Sequence, residues 1–226
     1  METIPLRARI LETIVRKSTL KQKVFDSTFW AFNQLKETLL EMASEMDDEL
    51  DGKLDRRVEY RDRGKFEAQL QIANDLLIFQ MHTDVFEFDD AHPIWKTPYV
   101  QADRENSYCG VVNIYNFLSD SFKFNRNADE GYLIGRLFIN RDRRYFVEGK
   151  GQTTLRAADF GKDEIDHDAL IAILESAIAF SLDFDLLLPP YEENKRVTVD
   201  QFNTKMDNSK FVTGKRLGYE FNVEDI

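Results

Sequence analysis

The chain has 226 residues, with 41 acidic side chains against 30 basic ones and a formal charge of −11. A hydrophobic content of 42% with eighteen phenylalanines supports a core that folds without staples, which excludes a disordered chain. The charge argues against a nucleic-acid backbone or an anionic membrane surface as partner, since both call for a surplus of Lys and Arg.

The start, Met1 to Pro5, has no basic or apolar region of the signal-peptide kind, and no apolar run reaches the ~18–20 residues of a membrane span. A cytoplasmic protein is therefore expected. Residues 1–52 read as helical. Leu6, Ile10, Ile14 and Val15 mark a first segment, and Ser18-Thr19 is placed to interrupt it as an N-cap. From Leu20 to about Leu50 two adjacent rows of apolar residues recur at steps of three and four. One holds Phe25, Phe29 and Phe32, the other Leu20, Val24, Ala31, Leu35, Leu39 and Met42. Such a stripe is wider than a coiled-coil seam, so packing on a sheet or bundle is expected; a dimer through the three phenylalanines is the sharper reading.

Residues 55–150 read as an antiparallel sheet. Arg57–Arg61, Phe66–Ile72 and Leu77–Val85 each alternate, separated by Asp62-Arg63-Gly64 and by Asn74-Asp75. Those turns predict Tyr60 opposite Phe66, Leu70 opposite Phe79 and Glu67 opposite His82. One face is then apolar, and the other carries Glu67, Gln69, Gln80, His82 and Asp84. Tyr108–Phe117 reads as a buried strand, and Tyr132–Ile139 with Arg144–Glu148 as a hairpin whose two apolar faces suggest a central position. Asp163 precedes a helix over 163–188 that Pro189-Pro190 stops, and 190–226 form a C-terminal strap. The whole is a single domain, 1–226, of the α+β class, with a meandering antiparallel sheet of five or six strands.

Between Phe79 and Gly151 the strings His92-Pro93-Ile94-Trp95-Lys96-Thr97, Tyr108-Cys109-Gly110, Asn113-Ile114-Tyr115-Asn116-Phe117, Gly131-Tyr132-Leu133-Ile134-Gly135-Arg136 and Tyr145-Phe146-Val147-Glu148-Gly149 stand out. This third of the chain resembles a family of uncharacterised proteins from Bacteroidetes. The resemblance implies a bacterial, cytoplasmic setting and brings no activity with it. The architecture is also similar to sensory folds of the PAS and GAF kind, which carries no function across.

Candidate chemistry is sparse. His82-x-Asp84 projects two metal-ligand types from one strand face, with Glu67 as a third ligand, a set suited to zinc, iron or manganese; an ordinary cross-strand pair competes with it. His92 sits in an irregular segment after Asp89 and Asp90. Cys109, the lone cysteine, excludes a disulfide framework and reads as a small buried hydrophobe rather than a nucleophile. His167 reads as part of a solvated first helical turn. Ser18-x-x-Lys21 and Gly149-Lys150-Gly151 lack the companion motifs their chemistries need. Arg141, Arg143 and Arg144 cluster at a hairpin tip, where they could clamp an anion. These observations point to a non-catalytic module, without cofactor, that binds a small polar ligand or a protein partner through Gln69, Gln80, His82, Arg141 and Arg144. A homodimer is expected through the N-terminal helix or an uncovered sheet face. The alternative is a metal-dependent hydrolase using His82, Asp84 and Glu67.

Overall fold

The computed structural model describes residues 5–50, 58–127, 129–149, 160–183, 191 and 198–199. Its first element, α1, is one unbroken helix of 44 residues, Leu6–Glu49. The break expected at Ser18-Thr19 is absent. Both residues are exposed, and nothing there removes a backbone N–H, so the ladder runs through them. From Leu20 onward the helix buries Val24, Ala31, Phe32, Leu35 and Leu39. Phe32 is wholly buried, while Phe25 and Phe29 stack on each other and meet Phe66 edge-on. The three phenylalanines therefore face the protein's own core, which corrects their assignment to a dimer interface.

The sheet follows, in the order β1 (Glu59–Asp62), β2 (Glu67–Ile72), β3 (Asp75–Met81), β4 (Cys109–Leu118), β5 (Tyr132–Asn140), β6 (Tyr145–Gly149). Every neighbouring pair is antiparallel, and with α4 (His167–Leu182) the chain is α+β. α1 and α4 share one face of the sheet, over Leu70, Leu77, Phe79, Val112 and Ile139. The 190–226 strap lies almost wholly outside the described residues.

Two registers differ from expectation. Tyr60 pairs with Leu70, four residues on, and Leu70 pairs with Leu77, two residues back. At the β2–β3 turn, Ala73 takes the positive φ of 49° and Asp75 joins the ladder, because β4 pairs it with Leu118. At the β1–β2 tip, Lys36 of α1 bridges the Gly64 carbonyl at 3.0 Å and Asp62 at 2.7 Å, which draws the loop out to Phe66. Both slips are even, so each side chain keeps its face.

The β5–β6 hairpin forms as expected, but β6 is the outer strand among the described residues, not a central one. Its second face is covered by an irregular segment: Phe88, Ile94, Trp95, Tyr99 and Val100 pack with Cys109, Phe138, Phe146 and Phe160. That segment contains two 3-10 turns, Pro93–Lys96 and Arg104–Ser107, and the short helix α2 (Pro98–Ala102) between them. A second short helix, α3 (Ser119–Lys123), follows β4. α4 begins at His167, four residues after the start of the expected 163–188 span, because Ile165 donates to the Arg143 carbonyl and Glu164 bridges Arg144, which holds this stretch extended. Asp166 rather than Asp163 is the cap, accepting from the Ala169 N–H.

Candidate functional site

The sheet face away from α1 carries one polar row across five strands. Glu67 pairs with Gln80, Gln80 with Asn113, Asn113 with Arg136, and Arg136 with Glu148. Directly opposed residues project to the same side, so these five side chains line up. Arg136 Nη2 donates to Glu148 Oε2 at 2.7 Å, and the other Glu148 oxygen lies 2.9 Å from His92 Nε2. His92 Nδ1 accepts from the Ile94 N–H at 3.2 Å, where the ring caps a 3-10 turn. With Nδ1 an acceptor, Nε2 carries the proton and donates to Glu148. Both ring nitrogens are thus engaged, and His92 fastens the irregular segment to β6.

His82 lies one residue past the end of β3, its N–H on the Val111 carbonyl. The residue opposite Glu67 is Gln80, so the predicted Glu67–His82 pairing is corrected by the two-residue slip. His82 Nδ1 accepts from the Asp84 N–H at 3.0 Å, with the Asp84 carboxylate 3.9 Å from the same nitrogen. That carboxylate thus lies nearest the ring nitrogen that already accepts the Asp84 N–H. Among the described residues no group of three His, Cys, Asp or Glu side chains is placed to hold a metal. What remains at His82 is a hollow of about 530 Å3 lined by Arg63, Lys65, Glu67, Gln80, His82 and Thr83. Gln69, predicted beside it, is only 6% exposed and donates to Glu67 Oε1 at 2.9 Å.

The arginines of the β5–β6 tip have protein partners. Arg141 reaches Asp103 Oδ2 at 2.6 Å, Glu105 Oε2 at 3.0 Å and Asn106 Oδ1 at 2.9 Å, and so pins residues 103–106 to the hairpin. The Asp103 carboxyl is held below its usual range, first by the Glu105 N–H and then by Arg141. Arg144 bonds the Lys162 carbonyl and lies 3.3 Å from Glu164. Arg143 lies over Trp30, its Cζ 3.9 Å from the ring centre, and both line a cleft of about 1110 Å3 between α1, β6 and α4. Of the predicted ligand-binding set, Gln80 and His82 therefore share a hollow, while Gln69, Arg141 and Arg144 serve the fold.

Cys109 is fully buried, and burial pushes its thiol well above the usual range, so it is no nucleophile. His167 opens α4 with Nδ1 3.3 Å from Thr38 Oγ1.

A second surface comes from α1. Before Leu20 the helix runs past the core as an arm, leaving Leu6 72%, Ile10 49%, Leu11 55%, Ile14 55% and Val15 66% exposed. These positions continue the core stripe and widen it. The sequence marked them as helical; reading through Ser18-Thr19 would have marked the arm. Among the described residues no helix is long and apolar enough to cross a membrane. Comparison with family models, with curated proteins and with solved structures gives no significant match.

Proposed function

We propose that the chain is a non-catalytic protein-interaction module of the cytoplasm whose working surface is the N-terminal arm of α1. The observation that carries the reading is the run of five large aliphatic side chains, each about half exposed or more, within three helical turns. Contiguous apolar surface of that kind on a folded chain marks a contact site far more often than scattered single residues do. The chemistry elsewhere agrees: His82, His92 and His167 each have a ring nitrogen in a local hydrogen-bond contact, and Cys109 is sealed. Sedimentation of the full chain beside its Leu11→Glu/Val15→Glu variant tests this. Assembly above the 26.5 kDa monomer that the variant loses is the expected result. Equal monomeric behaviour of both proteins, at every concentration, removes the reading.

The hollow beside His82 supports a second reading, a small polar ligand held by Lys65, Gln80 and His82. Amide and imidazole NMR shifts on titration with small polar compounds, abolished by His82→Ala, would carry it. Stoichiometric zinc, iron or manganese in the native mass, lost on the same substitution, would instead restore the hydrolase alternative.

A further inference from the structure

α1 carries its charges in the order opposite to the one its own dipole favours. Between residues 6 and 23 stand Arg7, Arg9, Arg16, Lys17, Lys21 and Lys23 against a single acid, Glu12. From 37 to 49 the charged residues are Glu37, Glu41, Glu45, Asp47, Asp48 and Glu49, with no base among them. The first turn holds no acidic residue and the last no basic one, whereas the dipole stabilises anions at the N-terminus and cations at the C-terminus. Each end is thus destabilising alone and complementary to the other.

Apolar placement follows the same pattern. Leu40, in the acidic stretch, is 55% exposed although its neighbour Leu39 is fully buried. At about 100° per residue, Leu40, Leu11 and Val15 fall within about 40° of arc on the helix, and Leu40 lies well away from the core stripe of Val24, Leu35 and Leu39.

Resting on the arm as the contact surface, we propose that its occupant is a second copy of this chain, with the two α1 helices antiparallel. The basic arm of each copy lies along the acidic end of the other. Setting Val15 opposite Leu40 places Leu11 opposite Ser44, an exposed small residue, and brings the two-fold axis beside Ser27 and Thr28. A helix of 44 residues is about 66 Å long, so the arm and the acidic end form two separate contacts related by the axis. The interface is isologous and closes as a dimer. That contact covers Leu11, Val15 and Leu40 of each copy, on the order of 600 Å2 of apolar surface in all, below the roughly 1,200–2,000 Å2 of a stable interface, so the dimer is a weak one whose opposed charges set its orientation. Pairing arm with arm would instead oppose two basic segments, which is why the acidic end is the better match.

The test uses the full chain with exposed positions changed, so folding is not at stake. Arg7→Glu and, separately, Asp48→Lys, exposed positions that the same register sets opposite each other, should each weaken dimerisation severalfold by sedimentation equilibrium, and added salt should weaken the parent dimer. Mixing the two variants should restore a dimer, because both contacts then join opposite charges. A Val15→Cys chain mixed with a Leu40→Cys chain should yield a disulfide-linked dimer that neither gives alone. A dimer that needs Leu11 and Val15 but ignores Asp48→Lys keeps the arm as contact surface and overturns the antiparallel pairing. A monomer that binds vesicles of anionic phospholipid through the arm overturns it as well. A monomer indifferent to every substitution removes both the pairing and the underlying reading.

Discussion

Replacing Gly110 with alanine tests how closely α1 sits on the sheet. A Cβ at Gly110 would lie 2.3 Å from Thr28 Oγ1 and 2.8 Å from both its Cβ and Cγ2. Thr28 is fully buried, its hydroxyl donates to the Val24 carbonyl at 2.8 Å, and a β-branched side chain in a helix has few rotamers to move to. Overpacking of this kind costs about 1–3 kcal/mol, and three contacts inside 3 Å on a rigid neighbour place this case near the top. Against it stands the ~0.5–1 kcal/mol that alanine gains over glycine within a strand. The net expectation is a loss of about 2 kcal/mol, or roughly 4–8 °C in Tm for a chain of this size. Thr28→Ala removes two of the three clashing atoms, so Gly110→Ala in that background should cost about 1 kcal/mol less, a coupling readable by a double-mutant cycle in urea. A Gly110→Ala protein as stable as the parent, or more so, would refute the close approach and with it the seating of the helix that carries the arm.

Burial, aided by Asp62, pushes the Tyr60 phenol up to about 12, and burial with the Asp142 hydrogen bond does the same for Tyr99. A raised folded pKa means stability that is fully present below about pH 10 and lost as pH rises toward 12. Burial raises Tyr108 and Tyr145 as well, so tyrosinate absorbance should show at least four phenols ionising later in the folded chain than in urea, one fewer in Tyr60→Phe or Tyr99→Phe; coincident curves would contradict this. Arg141→Met should cost about 1–2 kcal/mol, the lower part of the range for charged hydrogen bonds because Asp103 and Glu105 are partly in water. Amide exchange should quicken across 103–107, and unchanged protection there would show that the clamp is idle.

Period and composition alone decided the class, the order of helices and strands along the chain and the face of each paired strand residue. Those depend on local backbone geometry and on which side chains leave water, and an even slip in register changes neither. The choice of Gly110 beneath Thr28, the tip drawn out by Lys36 and the turn moved to Ala73 depend on neighbours distant in the chain, so tertiary contact decided them. The same holds for the candidate site. His82, Asp84 and Glu67 were legible as ligand types, but their convergence rested on a register that β4 sets by capturing Asp75. Arg141 and Arg144 were legible as charge, and only the fold supplied the carboxylates and carbonyl that occupy them. Leu6, Ile10 and Ile14 have the period of a core stripe, and sequence cannot say where the sheet beneath a stripe ends. The structure ends that cover at Leu20, which turns the same residues from core into surface.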